Sequence, residues 1–114
     1  MIPYRKEKIE NAICFFAFEH KKATKKPLYQ TYLYKYLAFF EFDHIKKYGR
    51  PPLGLKYLAM ERGPVPIEIY EKREAYKSSC FAFKKGAEDN FVVVPNGKPN
   101  MDYFSKLSRR KCIV

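Results

Sequence analysis

The reading of this chain turns on the stretch Leu28-Tyr29-Gln30-Thr31-Tyr32-Leu33-Tyr34-Lys35-Tyr36-Leu37-Ala38-Phe39-Phe40-Glu41-Phe42-Asp43-His44-Ile45-Lys46-Lys47-Tyr48. Leu33, Tyr36, Leu37 and Phe40 stand at i, i+3, i+4 and i+7, while Lys35, Asp43, Lys46 and Lys47 fall mostly off that stripe. The spacing predicts one long helix over 28–48 with its apolar face inward. A second line of aromatics, Tyr29, Tyr32, Phe39 and Phe42, widens the apolar arc, so more than one element is expected to pack on this helix and make it central. Thr24 and Pro27 lie just ahead of the start, and Gly49, Arg50, Pro51 and Pro52 follow the end. At 1.5 Å per residue the span is roughly 30 Å, the width of a small domain.

Outward from this stretch, Tyr4 to Lys22 reads as a first helix with Ile9, Ala12, Ile13 and Phe16 on one side. The basic linker Lys21 to Pro27 turns the chain, which makes the two helices antiparallel neighbours. On the C-terminal side, Arg50 to Gly54 is extended, because a residue before proline avoids the helical region. Leu55 to Arg62 reads as a short helix with Leu55, Leu58 and Ala59 buried, capped by Gly63 and ended by Pro64. Pro66 opens a fourth helix, with Glu68 near its positive end and Ile69, Arg73 and Tyr76 on one face, stopping near Ser78. The period then changes: Cys80 to Lys84 and Phe91 to Val94 are strand-like runs joined by a longer loop, a hairpin. Pro95 to Pro99 is a turn, and Asp102 to Arg110 begins a last helix or strand. The expected fold is mainly α, within the α+β class: about four helices around a long central one, plus a small antiparallel β-hairpin.

A chain of 114 residues, 46% hydrophobic and 18% aromatic, is one domain that buries roughly two-thirds of its unfolded surface, and this excludes disorder for the whole chain. Its net charge of +11 is divided between the halves and favours acidic partners: nucleic acid, an anionic membrane or an acidic protein. Three cysteines, Cys14, Cys80 and Cys112, without Cys-x-x-Cys spacing, fit a reducing compartment better than a disulfide scaffold or zinc site. The charged N-terminus lacks a signal-peptide core, and the longest apolar runs fall far short of the ~20 residues that span a bilayer. The expectation is a cytoplasmic protein that does not enter membranes.

Chemistry is sparse. Glu41-x-x-His44 puts a carboxylate and an imidazole one helical turn apart, the spacing of bundle metal sites, but a metal needs three or four ligands and His20 is the one other histidine. Cys80 or Ser79 with His44 and Glu41 provides the parts of a nucleophilic site, yet no nucleophile elbow, glycine-rich phosphate loop or paired-carboxylate motif accompanies them. No catalytic residue, metal or cofactor is therefore assigned, and the chain is not read as an enzyme. The clusters Lys21-Lys22, Lys25-Lys26, Lys46-Lys47 and Arg109-Arg110-Lys111, with ten tyrosines, offer phosphate contacts and stacking surfaces for nucleic acid.

The segment Leu33 to His44, followed by Tyr48-Gly49-Arg50-Pro51 and then Gly54-x-x-Tyr57-x-Ala59-Met60-x-x-Gly63-Pro64-Val65-Pro66, resembles the Panacea domain, also called the SocA-like antitoxin domain. Tyr103-Phe104-Ser105 is similar to that family's later Phe-Ser element, Glu41 stands where the family usually has Asp, and the helices that normally follow the Phe-Ser element are absent or very short. The resemblance implies a single Panacea-like domain over 1–114, shortened at its C-terminal end. It also implies a protein that acts by binding, as antitoxins of bacterial and phage-borne toxin–antitoxin pairs do by direct contact with a toxin, here one encoded by an adjacent gene. Gly49, Tyr57, Ala59, Gly63, Pro64, Val65 and Pro66 are then motif residues with structural duties: caps for the two glycines, a helix start for the prolines, packing for Tyr57 and Ala59. Glu41, His44 and Arg50, near the end of the long helix, are the candidate partner-facing or buried polar cluster. The alternative function is a nucleic-acid-binding regulator.

Overall fold

A computed structural model describes residues 2–61, 63–72, 75–76, 78–86 and 90–104. Helix α1 runs Arg5–Thr24 and helix α2 runs Gln30–Tyr48. They pack antiparallel: Phe16 lies against Tyr36 and Phe40, and His20, one turn further along α1, reaches back to Tyr36. The apolar stripe of α2 behaves as its spacing predicts, with Leu33 and Leu37 fully enclosed and Phe40 nearly so. From α1 the enclosed residues are Ile9, Ala12, Ile13, Cys14 and Ala17. Each large side chain so buried contributes about 1.5–3 kcal/mol relative to exposure.

Between the helices, Leu28–Tyr29 forms a two-residue strand, β1, and does not belong to the helix expected over 28–48. Leu28 pairs with Val93 and Tyr29 with Val92, so burial of Leu28 in a sheet overrides its place in a helical pattern. The expected hairpin is present as β4, Phe81–Lys85, and β5, Phe91–Pro95. With β1 it makes a three-stranded sheet in the order β1-β5-β4, which turns Phe81, Phe83, Phe91 and Val93 into the core against α1. A 3-10 turn at Met101–Tyr103 follows, and Phe104 packs its ring on Phe40. The remainder of the helix or strand expected over 102–110 lies outside the described residues.

Four helices are not found: the described residues contain three, and the segment read as a helix over 55–62 is a strand. Tyr57–Met60, β2, pairs antiparallel with Gly63–Pro66, β3. Leu55, Leu58 and Ala59 do match a helical spacing, but they equally match a ribbon in which Tyr57 and Ala59 share one face and Leu58 and Met60 the other. The two prolines of β3 obscured this, because proline cannot donate to a ladder. Pro64 and Pro66 lie opposite Ala59 and Tyr57, while the neighbouring pair is joined by Ile67 N–H donating to Lys56 C=O at 3.0 Å. Both prolines therefore occupy the non-hydrogen-bonded positions of a two-stranded ribbon, where a missing N–H faces outward and loses nothing. Gly63, with φ +119, accordingly serves the hairpin turn and not a helix cap.

Helix α3, Ile67–Lys72, begins immediately after Pro66 and inserts Ile69 into the core, but it is shorter than the helix expected to reach Ser78. Arg73, assigned to its inner face, lies outside the described residues. The second aromatic line of α2 also departs from expectation. Tyr29, Tyr32, Phe39 and Phe42 are all at least two-fifths exposed, so among the described residues that side is covered only in part, by Tyr57 against Phe42.

Candidate functional site

The polar residues near the C-terminal end of α2 converge on one loop. Gly49, at φ +78, ends the helix as its N–H donates to Ile45 C=O at 2.8 Å. The next residues return across the helix they have just left. At the near end of the loop, His44 is buried and its Nδ1 lies 2.7 Å from the Arg50 carbonyl, so Nδ1 carries the proton and donates.

At the far end Glu41, only 1% exposed, is capped by three successive backbone amides. Leu53 N–H donates to Oε1 at 2.8 Å, Gly54 N–H to Oε1 at 2.5 Å, and Leu55 N–H to Oε2 at 3.2 Å. Gly54 sits at φ +69, and this left-handed residue lets three consecutive amides turn toward one anion, as in an anion-binding nest. The anion comes from the chain itself. Burial pushes the Glu41 carboxyl above its ordinary value, and the three amides partly offset that rise. The Tyr57 hydroxyl is buried beside the same carboxylate without a well-formed hydrogen bond; burial first, then the negative charge of Glu41, keeps it protonated.

From the opposite side Arg5, the first residue of α1, holds the same loop. Its Nε donates to Leu53 C=O at 2.9 Å and one Nη to Gly54 C=O at 3.1 Å, while both Nη groups also reach the Glu68 carboxylate on α3. One loop thus ties α1, α2 and α3 together and sets where β2 begins. Glu41 and His44 are brought together here through the backbone of residues 50–55, whereas the Arg50 side chain points to solvent and contributes its carbonyl. Arg5 was not singled out from the sequence, where it is one basic residue among several at the N-terminus. The Leu53-Gly54-Leu55 nest carried one local signal, a glycine in a proline-rich connection.

The other polar groups considered serve packing. His20 Nδ1 lies 2.9 Å from the Tyr36 hydroxyl, on the other half of α2 from His44. On α1, buried Glu10 accepts from Ser78 Oγ at 3.1 Å, and buried Asn11 accepts from the Asn100 N–H at 2.8 Å, which fastens the segments flanking the sheet to the helix. Cys80 is half-buried and donates to Asn11 at 3.8 Å, with Ser79 beside it. Neither approaches His44 or Glu41 among the hydrogen bonds described. Among the described residues no group of three or more His, Cys, Asp or Glu side chains is arranged to hold a metal ion, and no helix is long and apolar enough to cross a membrane.

The motif residues fall around the same region. Gly49 caps α2, Gly63 turns the β2–β3 ribbon, Pro64, Val65 and Pro66 lie in β3, and Tyr57 packs its ring 5.3 Å from that of Phe42, while Ala59 is exposed on β2. No curated protein and no solved structure matches the chain. A family model described as "Antitoxin SocA-like, Panacea domain" matches residues 33–107, more than half of its length. The match takes in the loop with the carboxylate and imidazole that hold it, and the proline-bearing ribbon beyond, so this chain belongs to the SocA-like antitoxin family, the Panacea domain.

Proposed function

We propose that this protein is an antitoxin-type binding module, acting in the cytoplasm, that neutralises the toxin encoded by an adjacent gene through direct contact. The observation that carries the reading is the family match over residues 33–107. The use made of the polar motif residues supports it: Glu41 accepts from, and His44 donates to, backbone groups of the chain's own loop, which suits a scaffold that presents a rigid surface. In this reading Glu41, His44 and the Arg50 carbonyl fix the end of α2 relative to the segment Gly63 to Tyr76, and the surface so formed meets the toxin. The neighbouring open reading frame, expressed alone, is expected to arrest growth. Co-expression of this chain restores growth, and the two proteins co-purify. A neighbour that is harmless and does not co-purify refutes the reading.

A second reading, a nucleic-acid-binding regulator, draws on one specific feature. Lys21, Lys22 and Lys25 line a groove with Phe18, Pro95 and Gly97, and no acidic residue occurs between His20 and Phe40. Binding that weakens steeply between 50 and 200 mM salt, on the order of a thousandfold for about six phosphate contacts, is its signature, and absence of a gel shift at low salt removes it.

A further inference from the structure

The exposed side of α2 carries a continuous stripe. Tyr32, Lys35, Phe39, Phe42 and Lys46 recur at helical spacing within one face, and Phe39 is 74% exposed, Tyr32 53% and Phe42 50%. Scattered surface aromatics need no explanation, but three in line over roughly 15 Å of helix form a patch of the kind that marks an interaction site. The β2–β3 ribbon flanks it: Phe42 touches Tyr57, and Lys35 approaches Gly63. Because the nest at Glu41 holds residues 53–55, the position of the ribbon beside the stripe is set by the buried latch.

The charges on this face are unequal. Lys35 and Lys46 interleave with the aromatics, and Lys35 lies 5.5 Å above the Tyr32 ring. Asp43, at the border, faces Lys47 at 3.9 Å. No Asp or Glu occurs from Lys21 through Phe40. A second copy of a chain bearing +11 would set lysine against lysine, and the chain's own C-terminal residues Lys106, Arg109, Arg110 and Lys111 carry the same sign. We infer that the α2 stripe of Tyr32, Phe39 and Phe42, with Lys35 and Lys46, is the docking face for a different protein chain whose contact surface combines an apolar centre with carboxylates. The inference rests on the antitoxin reading and assigns the toxin's contact to this face: aromatic anchors at the centre supply affinity, and the lysines steer encounter.

The test uses the full chain and the purified adjacent-gene product. Phe39→Asp, which replaces a side chain largely in water, is expected to keep the wild-type circular dichroism spectrum and urea midpoint, and Phe42→Asp to keep the spectrum with a slightly lowered urea midpoint as its Tyr57 ring contact is lost. Both are nevertheless expected to raise Kd at least about 30-fold and abolish rescue. Lys35→Glu with Lys46→Glu lowers the association rate about tenfold and flattens its salt dependence. Lys84→Asp, an exposed charge change on β4, serves as control and leaves rescue intact. If wild type rescues and folded Phe39→Asp and Phe42→Asp rescue equally well, the face is wrongly assigned while the antitoxin reading stands. If wild type neither binds nor rescues, both fall. A dimer of this chain that Phe39→Asp dissociates assigns the stripe to self-association and overturns the inference. So does loss of single-stranded DNA binding, with toxin binding unchanged, in the same variants.

Discussion

Removing the Glu41 carboxylate tests most directly how the polar residues of α2 work. The carboxylate is enclosed and takes three backbone N–H groups at 2.5–3.2 Å. In Glu41→Ala those donors lose their acceptor. Three charge-assisted hydrogen bonds at about 1.5–3 kcal/mol each would sum to more than the whole effect, because the variant also escapes the penalty of burying a charge. Buried amide donors left unpaired cost about 1–3 kcal/mol each, and relief of the charge-burial penalty offsets part of that sum, so about 2–4 kcal/mol is expected, a large share of the roughly 5–15 kcal/mol typical of a domain. Glu41→Gln keeps an oxygen where Oε1 accepts from Leu53 and Gly54, and sets an amide NH₂ against the Leu55 N–H alone, so about 1 kcal/mol is expected. Urea unfolding followed by circular dichroism at 222 nm measures both, since the chain has no tryptophan to report by fluorescence. The pH dependence adds a sign. Burial raises the folded carboxyl above 4.5, so the part of its contribution linked to that shift is full below 4.5 and is lost as pH rises through the folded value, while the amide hydrogen bonds remain at pH 7. Wild type should therefore gain on Glu41→Gln as pH is lowered from 7 toward 5. A Glu41→Ala variant within 1 kcal/mol of wild type at pH 7 would refute the latch.

The glycines and the second ion pair offer further checks. Gly54→Ala places a Cβ at φ +69 and 2.8 Å from Ile2 Cδ1, whereas at Gly49, φ +78, nothing lies within 4 Å. Gly49→Ala is expected to cost about 1 kcal/mol and Gly54→Ala about 2 kcal/mol in the same urea assay. Glu68→Gln should cost only about 0.5–1 kcal/mol, because the pair with Arg5 is a third or more exposed and screened, while Arg5→Ala costs about 1–2 kcal/mol through the carbonyls of Leu53 and Gly54. The hydrogen bond to Arg5 holds the Glu68 carboxyl below 4.5, so this contribution is present above 4.5 and fades as pH falls through the folded value, opposite in slope to Glu41. Burial pushes the Cys14 thiol up to about 11, so in a Cys112→Ser background an aromatic disulfide reagent at pH 8 should label half-buried Cys80 first and Cys14 at the unfolding rate.

Local spacing was enough for the two long helices, the Gly49 cap, the inward stripe of Leu33, Leu37 and Phe40, and the β4–β5 hairpin. In each, neighbours along the chain supply both the signal and most of the geometry. The candidate site was legible as a set of residue types and no further. Glu41 and His44 stand one turn apart in any helix, but that spacing suits a metal site, a catalytic pair and a loop latch equally.

What the sequence by itself determined was which side chains avoid water at a given period, and hence an α+β domain with an antiparallel helix pair and a terminal hairpin. Tertiary structure decided the rest. Leu28–Tyr29 left the helix because β5 offered an edge, and residues 57–66 became a ribbon because the outward positions of a two-stranded pair tolerate two prolines. Glu41 became a structural anion because Gly54 turned three amides toward it, and Phe39 stayed in water because no element among the described residues covers it. Periodicity records that a face is apolar; only the packed chain settles whether that face meets the protein's own core or remains open to another molecule.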